Sequence, residues 1–132
     1  MKNQHTGIQK YVKSFGYAFA GVADLVRGQF HAKVHLAATV VVVVFGFFFR
    51  ISAVEWCLVA LAIGSVIAAE ALNTAVEYIV DMVSPEYHPL AGKAKDVAAG
   101  AVLLVAAAAA CVAVIIFIPK ILEIVPSTWL AN

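Results

Sequence analysis

Three stretches of this chain run too long without charge to be left in water. "VHLAATVVVVVFGFFF", residues 34–49, contains no Asp, Glu, Lys or Arg and is closed by Arg50. "DVAAGAVLLVAAAAACVAVIIFI", 96–118, is uncharged after Asp96. Between them, "EWCLVALAIGSVIAAEALNTAVEYIVDMV", 55–83, is apolar for most of its length but is interrupted by acids. A bilayer-crossing helix needs about 20 mostly apolar residues at roughly 1.5 Å rise each. Backbone in hydrocarbon must also satisfy its own hydrogen bonds, which a helix does. The runs therefore predict three transmembrane helices in an all-α integral membrane domain spanning 1–132, with Trp56 as an interface anchor. Composition agrees: 64% of residues are hydrophobic and 13% charged, against about half and a quarter in soluble domains.

The flanking segments set the layout. From about Gly7 to Lys33, Ile8, Tyr11, Val12, Phe15, Phe19, Val22, Leu25, Val26 and Phe30 recur at steps of three and four, the period of one helical face. Lys10, Lys13, Asp24, Arg27 and Gln29 take the other faces. Such a helix lies in the membrane interface or packs its apolar face on a partner helix. "SPEYHPLAGKAK", 84–95, reads as a polar loop whose two prolines stop the preceding helix. Residues 119–132 read as an interfacial tail. The N-terminus lacks the apolar core and cleavage site of a signal peptide. Cys57 and Cys111 are too few for a disulfide framework and read as small hydrophobes. A net charge of +1 with no basic block gives no case for nucleic acid. Lys2, Lys10, Lys13, Arg27 and Lys33 outnumber Arg50 of the first loop, and Lys93 and Lys95 mark the second. The N-terminus and second loop are therefore expected in the cytoplasm.

The chemistry is in the middle helix. Glu70, Asn73, Glu77 and Asp81 are spaced three, four and four, so they share one face. Asp81 falls near the cytoplasmic interface, and Glu70 lies roughly 16 Å deeper by helical rise. A charged side chain deep in hydrocarbon costs at least about 2.5–3.5 kcal/mol, so a stripe of them faces a cavity, a cation or polar partners. Carboxylates with an amide oxygen suit a hard cation such as magnesium, which commonly arrives with phosphates. Lys95 is a point charge suited to phosphate, and Asp96 stands at the expected start of the third helix. That order, from a buried carboxylate to a cytoplasmic phosphate mouth, fits phosphoryl transfer from a soluble donor to a lipid hydroxyl. His31 and His35 are four apart, a spacing open to metal. With no third ligand nearby they read as solvated or headgroup-facing.

The segment "EALNTAVEYIVDMVSPEYHPLAGKAKDVAAGAVLL" closely resembles the prokaryotic diacylglycerol kinase family, which includes the undecaprenol kinases. Its signature, Glu-x-x-Asn-(Ser/Thr)-Ala-x-Glu followed about 18 residues on by Ala-Lys-Asp, is present in full, and the resemblance runs from about Lys10 to Pro119. It implies a homotrimer of three-helix subunits, each with an N-terminal surface helix. It also implies ATP as co-substrate, Mg2+ as cofactor and a lipid alcohol as substrate, in the bacterial cytoplasmic membrane with the site facing the cytoplasm. The lipid would be diacylglycerol or undecaprenol. By the same resemblance Glu70 is the general base, Glu77 a metal ligand and Asn73 a residue organising that centre. Lys95 and Asp96, the loop residues Glu86, Tyr87 and His88, and Lys10 and Tyr17 of the first helix match nucleotide-contacting positions. The family's second metal-binding glutamate, 41 residues before the catalytic one, is Gln29 here, and of the family's Glu-x-Asn-x-x-x-His pattern around it only His35 is kept. Its amide oxygen keeps a ligand but loses a full negative charge. A proton relay or small transporter, or a catalytically weakened regulatory subunit, are the competing readings, since a membrane glutamate also serves proton transfer.

Overall fold

The computed structural model describes residues 7–124, and four helices account for almost all of them: α1 (Gly7–Gly28), α2 (Phe30–Phe48), α3 (Ala53–Val83) and α4 (Pro89–Ile124). Among the described residues, α2, α3 and α4 are long and apolar enough to cross a membrane. The antiparallel pair α3 and α4 forms the body, α2 packs on α3, and α1 touches both α2 and α3. Ile51, Val59, Ile116 and Phe117 are the buried centre, with Trp56, Ile63 and Val112 packed around them. Most large apolar side chains on α2–α4 point outward, among them Leu72, Leu103, Leu104 and Ile115. Lipid or a neighbouring chain solvates such a surface at no hydrophobic cost.

Local chemistry explains the joints. The link from α2 to α3 is tight because Arg50 adopts a left-handed backbone (φ 50°). Its N–H donates to the Phe47 carbonyl, and that of Ile51 to Gly46, the paired bonds of a Schellman stop. The next helix begins at once on a capping box. The Ser52 hydroxyl accepts from the Glu55 N–H at 3.3 Å, and the Glu55 carboxylate accepts from the Ser52 N–H at 2.6 Å. Glu55 also pairs with Lys120 of α4 at 3.2 Å, which ties the far ends of the long helices together. Gly46 is buried where the Trp56 ring crosses α2; a Cβ there would lie 2.6 Å from the ring.

Helix boundaries differ from the sequence reading in three places. The first helix does not continue from 7 to 33. It stops at Gly28, Gln29 takes an extended backbone (φ −99°, ψ 124°), and α2 restarts at Phe30 rather than at 34. Gln29 keeps the last helical bond of the first segment, its N–H donating to the Leu25 carbonyl at 3.1 Å. The second loop is only 84–88, not 84–95. Pro89 opens α4 because its missing N–H is not needed at a first helical position, and His88 Nδ1 accepts the Leu90 N–H at 3.2 Å in the manner of an N-cap. Asp96 thus lies within α4 rather than at its N-terminal end. The α4 helix also runs through Pro119 to Ile124, so part of the expected tail is helical; the rest of that tail lies outside the described residues.

Candidate functional site

The polar face of α3 forms a ladder of three contacts, each made to a different element. At its deepest rung Glu70 is buried, with 3% of its surface exposed. Its Oε1 lies 3.1 Å from Nε2 of His35 on α2. Two turns along, Glu77 accepts two amide hydrogen bonds. Asn73 Nδ2 donates to Oε1 at 2.9 Å and Gln29 Nε2 to Oε2 at 3.3 Å. Nearest the loop, Lys95 of α4 pairs with Asp81 at 2.5 Å. The first two rungs are sheltered and the third is open.

Gln29 stands at the α1–α2 break, four residues beyond the buried Leu25, and its side chain reaches Glu77 from there. One turn earlier, Tyr78 donates its hydroxyl hydrogen to Asp24 Oδ2 at 2.8 Å, and Leu25 is buried. The C-terminal end of α1 is therefore pinned to α3 by a buried leucine and two polar contacts. The rest of the helix, including Lys10 and Tyr17, stays exposed.

Among the described residues, two buried polar atoms in this region have no partner: Asn73 Oδ1 and Thr74 Oγ1. An unsatisfied buried acceptor costs on the order of 1–3 kcal/mol, so these atoms mark unused bonding capacity beside Glu70 and Glu77. Asn73, Glu77 and Gln29 each carry a hard oxygen donor of the type magnesium takes, with the two amide nitrogens turned to the Glu77 carboxylate here. The residues fit such a cation, with one carboxylate where the resemblance implies two. Among the described residues no cluster of three His, Cys, Asp or Glu forms, so the amides are needed to complete the set.

At the loop end, Asp81, Glu86, Tyr87, His88 and Lys95 line an open cavity of about 200 Å³. The Lys95–Asp81 pair at its wall is 37% and 65% exposed. Exposed pairs are worth roughly 0–1 kcal/mol, so Lys95 can leave Asp81 at little cost. A second cavity of about 210 Å³ opens on the opposite side of the Glu70 rung. It is lined mainly by Val and Ala from α2, α3 and α4, with His35 and Thr39 as its polar edge.

The structure thus joins Gln29, Asn73 and Glu77 directly, gathers Glu86, Tyr87, His88 and Lys95 around one cavity, and keeps Glu70 on the same face. It does not bring Lys10, Tyr17 or Asp96 into these contacts. His35 corrects the reading that paired it with His31 as solvated or headgroup-facing: it turns inward to Glu70, while His31 stays exposed against the Phe30 ring. Thr74 is the (Ser/Thr) position of the signature but was given no role, because a threonine within an apolar helix carries no chemical signal of its own. The four-residue step from Glu70 is the clue that could have found it.

Residues 16–117 match the family described as prokaryotic diacylglycerol kinase. The chain is 37% identical over 120 residues to the undecaprenol kinase of Bacillus subtilis (strain 168), covering 91% of this chain and 98% of that protein. It is 39% identical over 112 residues to a diacylglycerol kinase of Synechocystis, covering 84% of this chain and 64% of the relative. Identity with the diacylglycerol kinase of Escherichia coli (strain K12) is 32% over 104 residues, 79% of this chain and 85% of that protein. With its three membrane-crossing helices, the chain is a multi-pass membrane protein that belongs to the prokaryotic diacylglycerol kinase family.

Proposed function

We propose that the chain is a lipid kinase that uses magnesium and ATP to phosphorylate the hydroxyl of a membrane lipid alcohol. Family membership favours this over the transporter and regulatory-subunit readings. The observation that carries it is the ladder itself: a buried carboxylate, an oxygen-donor cluster and a lysine-bearing cavity follow one another along α3.

In this reading Glu70 is the base. The lipid hydroxyl oxygen bonds to the γ-phosphorus as the bond to the β,γ-bridging oxygen breaks. ADP leaves with that electron pair, and the hydroxyl proton passes to the Glu70 carboxylate. A positioned base contributes about 10²–10⁴ in rate. Glu77, Asn73 and Gln29 hold the cation, and Lys95 offsets phosphate charge, with Glu86, Tyr87 and His88 around the nucleotide. Magnesium held by Glu77, Asn73 and Gln29 would supply positive charge to offset that of the ATP phosphates. Asp96, Lys10 and Tyr17 reach the nucleotide only if α1 and a neighbouring subunit close over the site, in keeping with a homotrimer. The site faces the cytoplasm of a bacterial inner membrane, where ATP is available.

The lipid alcohol we assign is a polyprenol, supported by the near end-to-end correspondence with the undecaprenol kinase. The Val- and Ala-lined cavity beside His35 is the slot for the part of its chain next to the hydroxyl. The test is phosphate transfer from labelled ATP in mixed micelles offered undecaprenol or diacylglycerol. Labelled polyprenyl phosphate is the expected product. Label in phosphatidic acid alone would move the assignment to diacylglycerol, and label in neither would reject the kinase.

A further inference from the structure

We propose that His35 is a positioning residue for Glu70: its Nε2–H holds Oε1, so that Oε2 is the oxygen offered to the lipid hydroxyl. The inference rests on the lipid-kinase reading and assigns a residue on a different helix from the acidic stripe.

Glu70 has one side-chain partner among the described residues, and that partner is His35. The terminal torsion of a glutamate is broad and nearly two-fold, so a buried carboxylate without a partner interchanges its two oxygens and samples several directions. A contact at 3.1 Å from the neighbouring helix narrows that freedom. The imidazole is well placed for this. The Glu70 side chain is 4% exposed and that of His35 is 25% exposed, so water competes weakly. Acceptance by Oε1 leaves the second oxygen with no protein donor. The imidazole also forms the polar edge of the apolar cavity, beside Thr39, Val42 and Val66. An alcohol whose tail fills that cavity brings its hydroxyl past the ring to the carboxylate. His35 therefore sits where the apolar slot meets the base, and a misplacement there of about 1 Å is enough to cost on the order of 100-fold in rate.

A purely structural link between α2 and α3 is the competing meaning of the contact. It predicts a loss of stability with little change in kcat. The two helices are also held at Gly46, Trp56 and Ile51, contacts that replacement of the histidine leaves in place.

The experiment compares wild type, His35→Ala and His35→Gln in mixed micelles, measuring kcat at saturating lipid, KM for ATP, and Tm. Glutamine carries an N–H at about the reach of Nε2 and no titrating ring. We expect His35→Ala to lower kcat by about tenfold to a hundredfold, with KM for ATP within about twofold and Tm nearly unchanged. His35→Gln should recover most of the rate. A His35→Ala enzyme at wild-type kcat, a glutamine variant no better than alanine, or a rate loss that merely follows a fall in Tm would each overturn the proposal. Failure of the kinase reading looks different: wild type itself would phosphorylate no lipid, before any variant is compared.

Discussion

Replacing Gln29 by Glu puts a second carboxylate against Glu77, and the structure sets the size of the effect. Gln29 Nε2 now donates to Glu77 Oε2 at 3.3 Å. With a carboxylate oxygen in that place the contact turns from a hydrogen bond into like-charge repulsion. At that separation and an effective dielectric constant near 20, the Coulomb energy is about 5 kcal/mol. Movement apart and solvent relieve much of this, because Glu77 is only half-buried. If a divalent cation between the two carboxylates recovers about 1.5–3 kcal/mol, the magnesium concentration for half-maximal activity falls about tenfold to a hundredfold. The assay is ADP release against free magnesium at fixed ATP and lipid, run on wild type and Gln29→Glu. Thermal unfolding with and without magnesium provides a second readout, since the variant should be less stable than wild type without the cation and gain more from it. An unchanged magnesium midpoint together with an unchanged Tm would refute the placement of Gln29 and Glu77 in one cation site.

Three further outcomes are expected. Asn73→Ala removes a donor to Glu77 and the orphaned Oδ1 together; it should raise the magnesium requirement about tenfold while leaving Tm within a few degrees, as a magnesium titration and a melt on the same sample would report. Tyr78→Phe deletes the hydroxyl that reaches Asp24; hydrogen exchange within residues 7–28 should rise while the amides of α3 and α4 stay protected, and unchanged exchange would mean that this contact does not hold α1. Gly46→Ala places a methyl 2.6–2.8 Å from the Trp56 ring; overpacking of this kind costs about 1–3 kcal/mol, visible as a lowered Tm, whereas a wild-type Tm would mean that the ring moves aside freely.

The sequence speaks most clearly where a property repeats along one helix. The acidic stripe of α3 could be read from spacing alone, because a 3.6-residue period places Glu70, Asn73, Glu77 and Asp81 on one face whatever surrounds them. The three membrane-crossing helices were legible for the same reason: a charge-free run needs no knowledge of its neighbours. Contacts between helices were not legible. Nothing in the spacing of His35 says that it meets Glu70, and its pairing with His31 at four residues pointed the other way. Gln29 was singled out by resemblance, but its contact with Glu77 lies between elements, and the break in the helix at this residue is concealed by the continuous apolar pattern of α1. Gly28 was the one local hint. Pro89 misled in the opposite sense. A proline stops the helix before it and also starts the helix after it, and only the second role shortens the loop to five residues, 84–88.

The central claim is that Glu70 is the base for phosphoryl transfer to a lipid alcohol. Its most direct test is the turnover number of Glu70→Gln for undecaprenol at saturating magnesium and ATP, beside nucleotide binding measured on the same preparation. The account predicts a fall of at least about 100-fold with nucleotide affinity retained, because Glu70 lies a full seven residues from Glu77 and outside the lysine-bearing cavity. A Glu70→Gln enzyme that phosphorylates the lipid at the wild-type rate would contradict it.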